Sequence, residues 1–239
     1  MQTMHLSEWA RVAIVAGGLA LLSGCAVLDE LATSGEASNN ETRIAAGLRE
    51  ALQIGSERAV DRVGRVDGYL ANEMIRIGLP ESIRSAADRL RQVGLGRQVD
   101  QLEVAMNRAA ETAAEEAVTL FREAISGMRP ADVMAVFRGG DDAATRYLRN
   151  QSETRLRQRY QPIVRRHLDQ VQGLDYYREI AERWNRLPMV DPLEVDLEAH
   201  VTNHALDGLF LVLAEEERRI RSDPVARTTE LLREVFGRG

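Results

Sequence analysis

His200 and His204 lie four residues apart, so on a helix they would face one side and could share a metal ion. Zinc-protease helices use that spacing, but they place a glutamate base directly after the first histidine. Here Val201 occupies that position and no third ligand is evident, so the pair reads as two surface histidines and no metal is expected. Asp191, Glu194, Asp196 and Glu198 form an acidic stretch. It lacks the alternating spacing and central glycine of a calcium loop, whereas acids ahead of a helix meet its dipole favourably. Glu215, Glu216 and Glu217 precede Arg218 and Arg219 and read as a solvated face with partners such as Glu215 and Arg219. Gly94-Leu95-Gly96 lacks the third glycine and the preceding strand of a dinucleotide fingerprint, and there is no phosphate loop or nucleophile elbow. No cofactor is expected.

Gly139-Gly140-Asp141-Asp142 resembles the Gly-Gly-acid-acid signature of diguanylate cyclases. That signature sits on a β-hairpin, whereas Ala143 and Ala144 here begin a helix. A helix stop followed by an aspartate cap, with Asp141 as the cap, explains all four residues.

The single cysteine, Cys25, excludes an intramolecular disulfide. It follows one arginine, Arg11, an apolar run from Val12 to Leu22, and the tetrapeptide Leu22-Ser23-Gly24-Cys25. The run is about half of the ~20 residues a spanning helix needs and fits the apolar region of a signal peptide. The tetrapeptide resembles the bacterial lipobox, in which an aliphatic residue and two small ones precede a cysteine that takes a diacylglyceryl group on sulfur. Residues 1–24 are therefore expected to be a lipoprotein signal peptide and Cys25 the lipid-bearing N-terminus. Each buried CH₂ of the acyl chains contributes about 0.8 kcal/mol, so several chains make a durable anchor. Ala26, not Asp, follows the cysteine, which by the sorting rule of enteric bacteria directs the protein to the outer membrane, facing the periplasm. The stretch 25–40, rich in Ala, Ser, Glu, Asn and Gly, reads as the lipidated cysteine and a flexible tether. Fifteen such residues span about 20 Å root-mean-square.

Residues 41–239 are expected to form one all-α domain. Of the 239 residues, 44% are hydrophobic but only 5% aromatic, so the core must be built mainly of Leu, Val, Ile, Ala and Met, which suits helix packing. The net charge of −6 and the interleaving of acids with arginines leave no one-signed stripe for nucleic acid, and none is expected to bind. All 31 basic residues are arginine, so surface pairing is guanidinium to carboxylate. Ile44, Leu48, Leu52, Ala59, Val60 and Val63 follow helical spacing up to Gly64 and the Asp67-Gly68 turn. Pro80 suits a first helical position and Gly94 a helix stop. One long central helix is predicted from about Gln98 to Met128. A short helix follows Pro130, and another begins at Asp141 and must kink or restart at Pro162. Further helices are predicted around Tyr176–Trp184, after Asp196, and around Leu231–Phe236.

Five segments taken together resemble domain-of-unknown-function family 4197. They are Leu95–Asp100, Met106–Glu111, Gly139–Thr145, Ala205–Phe210 with the Glu215–Glu217 run, and Ala226–Thr229. The resemblance covers about 42–237 and implies one domain and an envelope address, with no activity or catalytic residues attached. It also implies that the positions of His200 and His204 are not histidines in the family. It draws attention to a polar cluster of Asn107, Arg108, Asp141, Asp142 and Asp207. An arginine at the centre of an apolar helix needs water or a carboxylate, so Arg108 is expected to pair with Asp141, Asp142 or Asp207.

The leading expectation is a lipid-anchored envelope protein that meets the membrane through its anchor and engages a protein partner without catalysis. The alternative is a helical binding module for a small apolar or lipid ligand. An enzyme would have only Asp141, Asp142, Glu111 and Arg108 as machinery.

Overall fold

The computed structural model describes the backbone from Gly24 to Gly237 and side chains from Asn40 onward. Leu22, Ser23 and the rest of the expected signal peptide before Gly24 lie outside the described residues, as do the side chains of Gly24 and Cys25. The described chain is helical and contains no strand. The helices are α1 (Gly24–Gly64), α2 (Glu81–Gln92), α3 (Gly96–Ala113), α4 (Glu116–Ser126), α5 (Pro130–Phe137), α6 (Ala143–Gln170), α7 (Gly173–Asn185), α8 (Leu197–Ser222) and α9 (Glu230–Phe236). The compact body is Ala45–Gly239, and the described residues before it, 24–44, belong to a separate unit. The backbone of α1 is helical through 26–40, where composition predicts a flexible tether. Leucine, glutamate and alanine in that stretch are good helix formers, and the serines and asparagines between them do not interrupt it. No helix among the described residues is long and apolar enough to cross a membrane.

The long central helix is α6, with 28 residues. Leu148, Ser152, Leu156, Tyr160, Val164 and Leu168 recur every fourth position and are all buried. A four-residue repeat advances by about 40° per step on a 3.6-residue helix, so the buried stripe winds around α6, which packs against α8, α3 and α4. This packing explains why Pro162 does not end the helix. The proline and Gln158, whose carbonyl loses its amide partner, both lie on the exposed side, where water satisfies that oxygen.

The stretch expected as one helix from Gln98 to Met128 is instead α3 and α4, joined by a kink at Ala114 and Glu115. Both residues keep right-handed helical dihedrals, but the Ala114 N–H reaches back to the Ala110 and Glu111 carbonyls, and the Ala114 carbonyl accepts from Ala117 N–H at 3.0 Å. That is a local tightening toward 3₁₀ geometry. The same carbonyl accepts the buried Tyr160 hydroxyl of α6 at 3.4 Å. A side chain from a neighbour has entered the ladder, a recognised cause of kinks.

Between α1 and α2 the chain crosses the body as an irregular strap, residues 65–80. Asp67 adopts a left-handed φ of 67° in the turn that leaves α1. The strap then passes over α8 at Gly208, where an added Cβ would lie 2.8 Å from the Tyr69 ring and 3.0 Å from Ile75 Cβ. Only glycine allows that approach. Pro80 takes the N-cap position, not the first helical one, and Gly94 closes α2 with a φ of +85°. Asp196 caps α8 by accepting the Ala199 N–H at 2.9 Å. Around this frame lies a main core in which leucine, valine and alanine predominate, with a smaller cluster of Ala51, Ile220 and Leu232 beside α9.

Candidate functional site

Helix α3 keeps Arg97, Asp100, Gln101 and Thr112 exposed, but two of its polar residues, Asn107 and Glu111, fall on the buried face. Asn107 is 0% exposed. Its Oδ1 accepts the Ile77 N–H at 2.9 Å, and its Nδ2 donates to the Ile77 carbonyl at 2.9 Å and to the Glu103 carbonyl at 2.8 Å. The amide thus pairs with a strap peptide as a neighbouring strand would, leaving neither strap group orphaned. One turn on, Glu111 is 4% exposed. Its Oε1 accepts the N–H groups of Tyr69 and Leu70 at 3.2 and 3.3 Å, and its Oε2 accepts from Arg108 at 2.6 Å. The Tyr69 hydroxyl donates to the Ala205 carbonyl at 2.6 Å, and burial, with Glu111 nearby, raises its pKa well above the usual phenol value.

Arg108 donates to Glu111 and, through its other terminal nitrogen, to Asp67 at 2.7 Å. The hydrogen bond to Glu111, chiefly, and that to Asp67 raise its pKa against a partial burial penalty. The expected pairing with Asp141, Asp142 or Asp207 is therefore corrected: Arg108 staples α3 to the turn that leaves α1. The physical need for a carboxylate stands, but the partners lie three residues along the same helix and on the strap.

Asp142 and Asp207 come together elsewhere. They line a groove of about 250 Å³ with Arg146, Arg149 and Phe210. Arg146 pairs with Asp142 at 2.5 Å, and Arg149 pairs with Asp207 at 2.6 Å and with Glu153 at 3.0 Å. The Arg149 guanidinium also sits 5.1 Å above the Phe210 ring, a cation–π arrangement. Asp141 is exposed. The polar cluster expected as one thus divides into Asn107 with Arg108, and Asp142 with Asp207.

Neither aspartate caps α6 with its side chain. The N-cap residue is Asp142, and the cap is supplied by Glu217 of α8. Its two oxygens accept the N–H groups of Ala144 and Thr145 at 2.9 and 2.8 Å, and the Thr145 hydroxyl donates to it at 2.8 Å. Arg221, one turn along, donates to the same carboxylate at 2.9 Å and to the Val136 carbonyl at 3.0 Å. A negative charge on the first N–H groups of a long helix is favourably placed. Glu216 and Glu217 are therefore buried, not solvated, and Glu215 pairs with Arg62 of α1 at 2.8 Å, not with Arg219. The signal was present in the spacing, because Glu216 and Glu217 fall three and four residues after Leu213 and shortly before Ile220, on the apolar stripe of α8.

The His200 Nε2 lies 3.0 Å from the Gly78 carbonyl, and the His204 ring stands edge-on to it at 4.4 Å between centroids. Burial lowers the His200 pKa, with the neighbouring His204 adding to the effect and the Gly78 bond opposing it. His200 Nε2 is thus engaged on the strap, and no group of three metal-ligating side chains occurs among the described residues.

A third histidine escaped the spacing argument. His167 of α6 places Nδ1 3.2 Å from the Thr112 hydroxyl of α3, and its Nε2 is buried without a partner. It lines a groove of about 460 Å³ with Val66, Arg108, Glu111, Thr112, Glu115 and Val171. Burial lowers its pKa, against the opposing pull of Glu111. No sequence signal links Thr112 to His167, because the pairing exists only through the antiparallel packing of α3 on α6. The apolar cavity between α1, α6, α8 and α9, lined by Leu48, Leu52, Leu148, Leu213 and Phe236 among others, holds only about 20 Å³.

No curated protein and no solved structure matches this chain. Residues 38–237, most of the chain, match the family model described as protein of unknown function (DUF4197), and the chain therefore belongs to domain-of-unknown-function family 4197.

Proposed function

We propose that this protein is a lipid-anchored component of the bacterial cell envelope, held at the membrane through Cys25, facing the periplasm, and acting by binding a protein partner without catalysis. The observation that carries the non-catalytic reading is where the buried polar groups point. Asn107, Glu111 and Glu217 aim their oxygens at N–H groups of the chain itself. A reacting centre needs such groups to converge on a place where substrate can sit, whereas here they organise the strap and the start of α6. The apolar cavity of about 20 Å³ accommodates roughly one water, which does not favour the alternative of an apolar or lipid ligand. The anchor reading rests on Leu22-Ser23-Gly24-Cys25 and the apolar run before it, and an outer-membrane address rests on Ala26.

The anchor is tested by growing cells with a clickable palmitate analogue and comparing wild type with Cys25→Ser. The expected result is label on the wild-type chain, none on the variant, and accumulation of the longer precursor in the variant. Equal labelling of the two would overturn the anchor.

A further inference from the structure

We propose that α9 is an exchangeable arm, and that its seat also receives the α9 of a second copy of this chain, joining two copies reciprocally. This is separate from the partner protein proposed above, because a pair made by exchange contains this chain alone. The seat lies between α1 and α8, over Leu48, Ala51, Leu52 and Ile220. Helix α1 presents small residues there at a spacing of four, Gly47, Ala51 and Gly55. A Cβ on Gly47 would lie 2.5 Å from Val235 Cγ2 and 3.3 Å from Leu231 Cγ, so the α1 backbone is bared to admit those two side chains. Phe236 adds a tilted ring contact to Phe137, with centroids 6.0 Å apart. The seat is thus shaped to Leu231, Leu232, Val235 and Phe236, and α9 of any copy carries those residues in that order.

The hold on α9 is slight. It has seven residues, too few to persist as a helix away from a surface. Leu232 is its one buried residue, and it belongs to the small cluster with Ala51 and Ile220, apart from the main core. Leu231, Val235 and Phe236 are half-buried. The arm joins α8 through residues 223–229, where Pro224 opens a single 3₁₀ turn and Val225 stands 84% exposed. Arg227 bonds the Ile220 and Arg221 carbonyls, which fixes the root of this connector to α8. Across to α1, Arg58 reaches the Ala226 carbonyl and the Thr228 hydroxyl, both at a long 3.3 Å. Release breaks few buried contacts, the mark of a segment that opens while the rest stays folded.

Extended, residues 223–229 reach roughly 23 Å, further than the roughly 8–10 Å between packed helices, so the arm can cross to a neighbouring body. Exchange rebuilds in the neighbour every contact of the closed chain. What it adds is the meeting of two connectors at the two-fold axis, where the exposed Val225 of each copy is covered. The closed form competes at the effective concentration of a short tether, of order 1 mM. Exchange therefore becomes comparable to closure when the chain itself nears that concentration.

The test places one sulfur on each side of the contact in the full-length chain, by Gly47→Cys with Val235→Cys. The two Cβ positions lie 3.2 Å apart, close to the roughly 3.5–4.5 Å of a disulfide. The protein, in detergent micelles, is oxidised at about 1 µM and at about 1 mM and resolved on a non-reducing denaturing gel, with bridged peptides mapped by mass spectrometry. A monomer bridged internally is expected at the lower concentration. At the higher, about half of the chain should run as a covalent dimer carrying the same bridge between positions 47 and 235. Adding Leu232→Glu unseats the arm without altering the floor, and should reduce both bridged forms about ten-fold or more while circular dichroism keeps the helical signal. Unmodified wild type at about 1 mM should sediment partly as a dimer, and the Leu232→Glu chain as a monomer. Internal bridges alone at both concentrations, or a dimer undiminished by Leu232→Glu, would overturn the exchange. Absence of the bridge at both concentrations would overturn the seat as well.

Discussion

Replacing Glu217 with alanine should lower the unfolding free energy by about 3–5 kcal/mol, the range for removing one member of a buried charged pair. In a body of this size that corresponds to a fall in Tm of roughly 6–20 °C. The carboxylate is 8% exposed, and its loss strands two α6 N–H groups, the Thr145 hydroxyl and the Arg221 guanidinium at once. Glu217→Gln is a more discriminating variant. It preserves shape but turns an amide N–H₂ toward groups that are all donors, so it should also destabilise, by less than alanine does. Asp142→Ala serves as the control, because the Asp142 side chain does not cap the helix. Differential scanning calorimetry of the three variants checks the ordering. A larger loss for Asp142→Ala than for Glu217→Ala would show that the cap is local.

Asn107→Leu should cost about 2–4 kcal/mol although leucine shares the branched heavy-atom shape of asparagine. The Ile77 N–H and carbonyl would both lose their partners while buried, and each unsatisfied group costs about 1–3 kcal/mol. Some relief comes from local movement of the strap. That movement is itself the second readout: the Ile77 amide should exchange with deuterium faster than the amides of α6, and protease should cut within 65–80 before the helices. Loss of stability spread evenly over all helices, with the strap no more labile than the rest, would contradict the role given to Asn107.

The two cases show what the sequence makes legible. Helical spacing located α7, α8, α9 and the caps at Asp196 and Gly94 because these are local rules: an apolar face, a side chain three residues from the amide it caps, a glycine free to take positive φ. The identity of the polar partners is not local. Nothing near Asp142 indicates that its helix is capped from residue 217, and nothing near Arg108 indicates that Asp67 will be brought to it by a strap. Even so, an arginine and an asparagine in the middle of an apolar helix marked a place where buried polarity must be matched, and matched it is, by Asp67, Glu111 and the Ile77 peptide. The charges of the run Glu215–Glu217 suggest a solvated face, but register along α8 decides its burial. Its position three and four residues from Leu213 marks two of the three glutamates as inward. The kink at Ala114 was invisible because it is imposed by the Tyr160 hydroxyl from another helix, not by any glycine or proline in α3 or α4.

We propose that this chain works by holding a protein partner at the membrane. Reversible crosslinking in living cells, with the wild-type chain and Cys25→Ser expressed at equal levels, tests it most directly. The wild type should give a discrete higher-mass species with one reproducible protein component, and that species should fade when the anchor is removed. Only the uncrosslinked chain in both strains, or the same species at equal yield from an unanchored chain, would contradict the claim.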